Sequence, residues 1–266
     1  MDGPPTSEAQ VAFVFFGDAG TGGAGQYEVA EAVERWCDVR RCDFVALLGD
    51  NFYPAGVSRR SGRQWSAKFE EPYAALSLPF RVALGNHDRY GNIGGQLRHA
   101  ASSEGGPRWE LPGRFYTFRT DVADVFVIDS GAFGPAQRRW LEAGLASATG
   151  PWKIVYGHHP IRSHGAHGPM PTLQKQLAPI LEAGGADFYL SGHEHDKQVL
   201  AGHPTLVVVG TGGAPPREVG RGDDTAYAGN TLGFGYLALD GESAELSIVD
   251  TAGEVEFTQT WHRPRE

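Results

Sequence analysis

The sequence predicts an α/β fold: one domain in which two stacked sheets are flanked by helices. Three observations predict it. Short apolar runs alternate with helical periodicity through the first third of the chain. The alternation resumes between residues 122 and 190, and from Lys197 onward the pattern is mostly short strands. Residues 11–16 (VAFVFF) form a continuous apolar run that meets a Gly-rich turn, the signature of a strand covered on both faces. A helix is expected next over about 26–36, where Val29, Ala32, Val33 and Trp36 recur at three- and four-residue spacing. A second strand is expected at 44–48, a helix at 65–76 and a third strand at 80–84. Residues 90–113 read as loop-rich and lead to β-like stretches at 114–119 and 122–128. Pro135 opens a helix to about residue 148, at the position that suits proline. A strand at 152–156, a helix at 173–182 and a strand at 187–190 come next. Short strands are then expected at 199–200, 205–209, 235–239, 244–249 and 255–260. No repeat or linker divides the chain, so 11–266 reads as a single domain behind a flexible N-terminal segment, residues 1–10.

Composition narrows the function classes. With 41% hydrophobic and 21% charged residues, the 266-residue chain is not wholly disordered. No apolar run approaches the roughly 18 residues needed to span a bilayer. A formal charge of −9 argues against nucleic acid as a partner, because phosphate-backbone binding draws on clustered Lys and Arg. Met1 and the nine residues after it have neither a basic start nor an apolar core, so they are not read as a secretory signal. The two cysteines, Cys37 and Cys42, are either ordinary thiols or a short-loop disulfide; with no other Cys to complete a thiolate site, a metal role is not expected of them.

Five segments share one grammar, a buried strand and then a turn carrying Asp, Asn or His. They are Gly17-Asp18-Ala19-Gly20, Gly49-Asp50-Asn51-Phe52-Tyr53, Gly85-Asn86-His87-Asp88, Gly157-His158 after Tyr156, and Gly192-His193-Glu194-His195. In α/β sheets ligands collect at the carboxyl ends of strands, where all five stand. One Asp or Asn beside Gly marks a plain turn; five in this order point to a shared site.

These motifs resemble those of the calcineurin-like metallophosphoesterases, and Tyr53, three residues after Asp50, narrows the resemblance to the purple acid phosphatases. GDNFY at 49–53, GNHD at 85–88, Arg108-Trp109, Phe115-Tyr116 and His167-Gly168-Pro169 are similar to the small, tartrate-resistant type. The resemblance covers about residues 13–239. It implies a four-layer α-β-β-α sandwich of two mixed sheets and a dinuclear metal centre on one edge. It assigns Asp18, Asp50, Tyr53 and His195 to one metal, and Asp50, Asn86, His158 and His193 to the other, with Asp50 bridging. Hard anionic oxygens suit a trivalent ion and an imidazole-rich neutral set suits a divalent one. The expected cofactors are therefore Fe(III) at the Tyr53 site and Fe(II), Zn(II) or Mn(II) at the other.

The implied reaction is hydrolysis of phosphate monoesters, or of anhydrides, by a metal-bound hydroxide at acid pH. His87 and His167 resemble the family's phosphate-contacting histidines, and His87 is expected to help protonate the leaving group. The partner is a small phosphorylated substrate, the protein a monomer with no nucleic-acid or membrane partner, and the family's habit leans the compartment towards secreted or periplasmic, with cytoplasmic as the alternative. Two rivals remain open: a phosphodiesterase on the same scaffold and a catalytically silent phosphate-binding protein. One departure stands out. Where the family places an acidic residue or histidine before His167, this chain has Ala166. Asp88 reads as a turn-fixing residue, His159 and His164 as pocket or solvent residues, and His99, His203 and His262 as surface. Arg59, Arg60 and Arg63 read as a solvated loop or as a patch that steers anions.

Overall fold

The computed structural model describes residues 10–57, 62–102 and 108–263. The expected flexible start, apart from Gln10, lies outside the described residues, as do Arg59 and Arg60; Arg63 is exposed.

Strand β1 (Val11–Phe16) is buried along its whole length and leads through the first Gly-rich turn into helix α1 (Ala24–Val39). Val29, Val33 and Trp36 form the buried stripe of α1, and the Trp36 ring meets Phe234 and Tyr236 edge-on at 5.9 and 5.5 Å. Cys37, near the end of α1, is disulfide-bonded to Cys42 just before β2 (Phe44–Leu47). Helix α2 (Gly62–Trp65) then passes into a π-helical turn at Ser66–Glu70, where the Glu71 amide donates to Ser66 O. The expected regular helix at 65–76 is thus a π-helical turn followed by hydrogen-bonded turns, and it buries Trp65, Phe69 and Tyr73 together. After β3 (Phe80–Val82), the GNHD motif opens a short helix, α3 (Asn86–Tyr90).

Within the loop-rich stretch, the chain forms α4 (Ile93–Ala100) and the brief β4 (Trp109–Glu110). Two adjacent glycines lower the intrinsic helix propensity of α4. Tertiary contacts override that: Leu97 and Ala100 pack on the core, and Gln96 Nε2 donates to buried Asp88 at 2.8 Å.

The second half repeats the plan with β5 (Tyr116–Arg119), β6 (Ala123–Val127), α5 (Pro135–Ser147) and β7 (Trp152–Tyr156). The single helix expected at 173–182 is two, α6 (Pro171–Gln176) and α7 (Ala178–Gly184). Pro179 has no N–H for the carbonyl one turn earlier, so the ladder breaks there. Strands β8 (Phe188–Ser191), β9 (Lys197–Leu200) and β10 (Thr205–Val209) follow. Then come β11 (Thr225–Gly229), β12 (Gly233–Leu239), β13 (Ser243–Asp250) and β14 (Val255–His262). Of these, β11 has no counterpart among the strands expected from local pattern.

Among the described residues the strands form two seven-stranded sheets, ordered β14-β13-β12-β1-β2-β3-β4 and β11-β9-β10-β8-β7-β6-β5. Each has a parallel half, β1 to β4 in the first and β6, β7, β8 and β10 in the second, continued by antiparallel strands. Period-2 alternation sorts the side chains of the second sheet. Val125, Val127, Ile154 and Leu190 enter the core shared with the first sheet, while Phe126, Ile128, Val155 and Tyr189 face Leu141, Leu145 and Leu181 of α5 and α7. With α1 on the far side of the first sheet, this is the expected α-β-β-α sandwich. Because both parallel halves run the same way within each sheet, their strand ends deliver the five motif turns to one edge.

Beneath that edge lies an aromatic cluster. The fully buried Trp109 ring contacts Phe52, Trp65 and Phe69 at centroid distances of 5.7, 4.8 and 4.7 Å, anchoring the loop that carries Asp50 and Tyr53. Truncating it leaves a cavity among rings that cannot collapse. Trp109→Ala is expected to cost about 4 kcal/mol and lower the melting temperature by roughly 10 °C, measured by calorimetry.

Candidate metal centre

Three of the five turns impose an unusual backbone. Asp18, Asp50 and His193 have φ of 59°, 54° and 71°, and they are the non-glycine residues with positive φ among the described residues. Such a conformation costs roughly 1–2 kcal/mol each and aims the side chain across the sheet edge instead of along the chain. In return, neighbouring turns supply amide donors. His193 N–H donates to Asp18 Oδ2 at 2.7 Å and His87 N–H donates to Asp50 Oδ1 at 2.8 Å. Each carboxylate therefore has one oxygen tied to backbone and the other turned inward.

The inward oxygens meet the remaining motif residues. Tyr53 Oη lies 2.9 Å from Asp18 Oδ1, 3.2 Å from Asp50 Oδ2 and 3.2 Å from His195 Nε2. His195 Nδ1 faces Pro215 O at 3.1 Å, which fixes the ring with Nε2 inward. On the other side, His158 Nε2 lies 3.4 Å from the same Asp50 Oδ2, 3.0 Å from Asn86 Oδ1 and 3.2 Å from His193 Nδ1. His158 Nδ1 is held by Leu48 O at 2.9 Å. One oxygen, Asp50 Oδ2, thus belongs to both groups.

All nine site residues expected from the sequence converge here. His87 lies at the rim, its Nδ1 against Pro54 O at 2.6 Å and its Nε2 3.9 Å from Asp50 Oδ2. The His167 ring stacks on that of His193 with centroids 4.5 Å apart. Asp88 does not join them. Its buried carboxylate accepts from Gly85 N, Asn51 N, Asn51 Nδ2 and Gln96 Nε2 and holds the two loops together, as its turn-fixing reading requires. Of the other histidines, His159 is buried beside His158 and His193 with Nδ1 2.9 Å from Ser130 Oγ. His164 turns to Asp224 at 2.7 Å, away from the centre. His99, expected at the surface, is instead a half-buried packing residue stacked on Trp65 at 3.6 Å. His203 and His262 are exposed.

The electrostatics of this cluster ask for a cation. Burial alone would raise the Asp50 carboxyl, but the charge and hydrogen bond of His158 and the His87 amide hold it well below the ordinary range. Burial alone would lower His158, yet Asp50 and Asp18 push it up to about 9. The proton on His158 compensates a field that a metal ion would compensate better, since Nε2 would then become a ligand. Tyr53 points the same way. Burial and the two carboxylates drive its phenol far above its usual range, and its single proton cannot serve three acceptors. A strong Lewis acid at Oη satisfies all of them. Two overlapping groups have donor atoms within 4.8 Å of one another: Asp18, Asp50 and His158, and His158, His159 and His193. The donor set fits metal ions. Glu194, between two of the histidines in sequence, carries no signal of its own in the motif; its carboxylate is buried against His167.

The family model for calcineurin-like phosphoesterases matches residues 11–197. Tartrate-resistant acid phosphatase type 5 of Rattus norvegicus is 28% identical over 277 residues, covering 89% of this chain and 84% of that protein. Purple acid phosphatase 17 of Arabidopsis thaliana is 29% identical, covering 95% and 84%. Among solved structures, GAP50, the anchor in the inner membrane complex of Plasmodium, superposes with a TM-score of 0.87 at 22% identity over 97% of this chain and 90% of its own. The purple acid phosphatase PPD1 of yellow lupin gives 0.78 at 18% identity over 97% and 54%.

The centre also depends on close backbone approach. A Cβ at Gly85 would stand 2.1 Å from Asp50 Oδ1 and 2.3 Å from Asp50 N. Gly85→Ala must displace Asp50, the residue shared by both groups. It is expected to cost about 1–3 kcal/mol of stability while the protein remains folded, and to lower bound metal per chain in elemental analysis.

Proposed function

The chain belongs to the calcineurin-like phosphoesterase family, and from that premise we propose that it is a metal-dependent acid phosphatase of the purple type, hydrolysing phosphate monoesters at a dinuclear centre. The observation that carries the proposal is the position of Asp50 Oδ2, 3.2 Å from Tyr53 Oη on one side and 3.4 Å from His158 Nε2 on the other. A carboxylate oxygen so placed suits a bridge between two ions. Asp18, Asp50, Tyr53 and His195 would hold Fe(III), whose charge matches two carboxylates and a phenolate. Asp50, Asn86, His158 and His193 would hold Fe(II), Zn(II) or Mn(II). When bound, such a pair supplies Lewis acidity to the phosphoryl oxygens and acidifies water.

The protein's own residues do the rest. The backbone amides of His193 and His87 fix the carboxylates before substrate arrives, so no ligand has to reorganise. Leu48 O and Pro215 O orient the His158 and His195 rings. Rim-placed His87 and His167 are positioned to hold phosphoryl oxygens, with His87 Nε2 the atom that would place a proton on the leaving alkoxide. The acid-pH preference and the monoester class draw on the names of the relatives, acid phosphatases from a mammal and a plant. The Cys37–Cys42 disulfide supports an oxidising compartment, secreted or periplasmic.

Purified protein loaded with iron and a divalent metal is expected to turn over p-nitrophenyl phosphate faster than its bis-ester; the reverse order would overturn the monoester reading. Asp50→Asn is expected to lower kcat/KM by more than about 100-fold, because even outer partners of metal ligands are worth roughly 10- to 100-fold. Tyr53→Phe is expected to abolish the visible phenolate-to-iron absorption, and a variant that stays coloured would refute the Fe(III) assignment.

A further inference from the structure

His167 lacks an acidic neighbour on its own loop, where Ala166 stands. The fold brings a carboxylate to it from another strand end. Glu194, fully buried between the turns, accepts the His167 backbone N–H at 3.0 Å through Oε1 and 3.1 Å through Oε2, and Oε2 lies 3.2 Å from His167 Nδ1. The approach is close enough that a Cβ at Gly165 would come within 2.7 Å of Glu194 Oε2. The His167 side chain is 44% exposed, so its ring spans the gap between a buried carboxylate and the open rim. One face lies on His193, and Arg217 Nη1 is 3.1 Å from both ring nitrogens. Arg217 is itself tied to the centre, its backbone N–H donating to His195 O at 2.8 Å.

Burying a carboxylate is costly unless hydrogen bonds compensate. Here those bonds go to one partly exposed residue, an arrangement suited to orienting that residue. We propose that Glu194 is a positioning residue for His167. Its carboxylate accepts from Nδ1–H and fixes the ring plane, so that the Nε2 edge of the ring is held at the open rim beside Arg217, where a phosphoryl oxygen would sit. The inference rests on the reading of His167 as a phosphate-contacting residue. It restores, from a different place in the chain, a carboxylate–histidine pair that Ala166 would otherwise leave missing.

The test is a double-mutant cycle on metal-loaded enzyme with Glu194→Gln, His167→Ala and the double variant. It is read as kcat and KM for p-nitrophenyl phosphate, affinity for inorganic phosphate by calorimetry, and bound metal per chain. Glu194→Gln keeps the shape and the full metal content, weakens phosphate binding and raises KM about tenfold, and adds nothing to His167→Ala. Effects that multiply, an unchanged single variant, or loss of metal in Glu194→Gln would overturn the proposal, the last because Glu194 would then act through His193 or His195. If the wild-type protein hydrolyses nothing, the phosphatase reading fails while the phosphate affinities of the same four proteins still decide the role of Glu194. Should Glu194→Gln not fold, nitrogen NMR of the zinc-loaded wild type decides it: Nδ1 of His167 is protonated under the proposal, and an unprotonated Nδ1 refutes it.

Discussion

Two carboxylates buried within reach of one phenol are the constraint around which the rest of the molecule is arranged. Asp18 and Asp50 are essentially buried at 0% and 1% exposure, and their inward oxygens share a single phenolic proton with His195. Isolated, each would be expensive to hold in the interior. The structure meets the demand with backbone amides from below, imidazoles from the sides and a donor set that fits metal ions in the middle. The left-handed backbone at Asp18, Asp50 and His193 is the conformational cost of bringing those groups to face one another.

That convergence is possible because the two sheets are built alike. The parallel strands of each sheet end at one edge, and the antiparallel strands, β12 to β14 in the first sheet and β9, β11 and β5 in the second, flank them without contributing a motif turn. The interface between sheets is packed with Phe13, Phe44, Phe188 and their neighbours, so the edges are held in fixed relation. Rigidity matters more here than bulk stability. A candidate centre whose side chains come from five turns loses its geometry if either sheet slides, and the aromatic cluster of Phe52, Trp65, Phe69 and Trp109 pins the turn that carries Asp50 and Tyr53 from beneath.

Around the centre, second partners carry as much of the arrangement as the ligands themselves. Asp88 ties the GDN and GNH turns together, Ser130 Oγ accepts from the amides of both His158 and His159, and Glu194 holds His167. Each of these is a polar group buried with its partners satisfied, which is how a low-dielectric interior enforces one geometry. The overall charge of −9 therefore describes the surface of the chain better than its site, where the donors are organised to receive cations.

Much of this was legible in the sequence because it is local. Buried strands announce themselves as apolar runs, and the turns after them as Gly beside Asp, Asn or His. The Asp, Asn and His residues of the five turns are therefore nameable from local pattern, with Asp88 set apart as a turn residue, whereas the roles of Tyr53 and His167 come from the family resemblance alone. The features that escape are those decided by partners distant in the chain. Helix α4 carries two adjacent glycines and forms because Leu97, Ala100 and Gln96 find a core and a carboxylate to meet. Strand β11 exists because β9 lies open beside it. Cys37 and Cys42 allow two readings until α1 and the turn after it set their Cα atoms 5.5 Å apart. Ala166 looks like the loss of a carboxylate, yet Glu194 restores one across 27 residues of sequence. Local pattern determined which residues are chemically able to act; only tertiary packing decided which of them touch, because contact depends on where other strands end and not on sequence spacing.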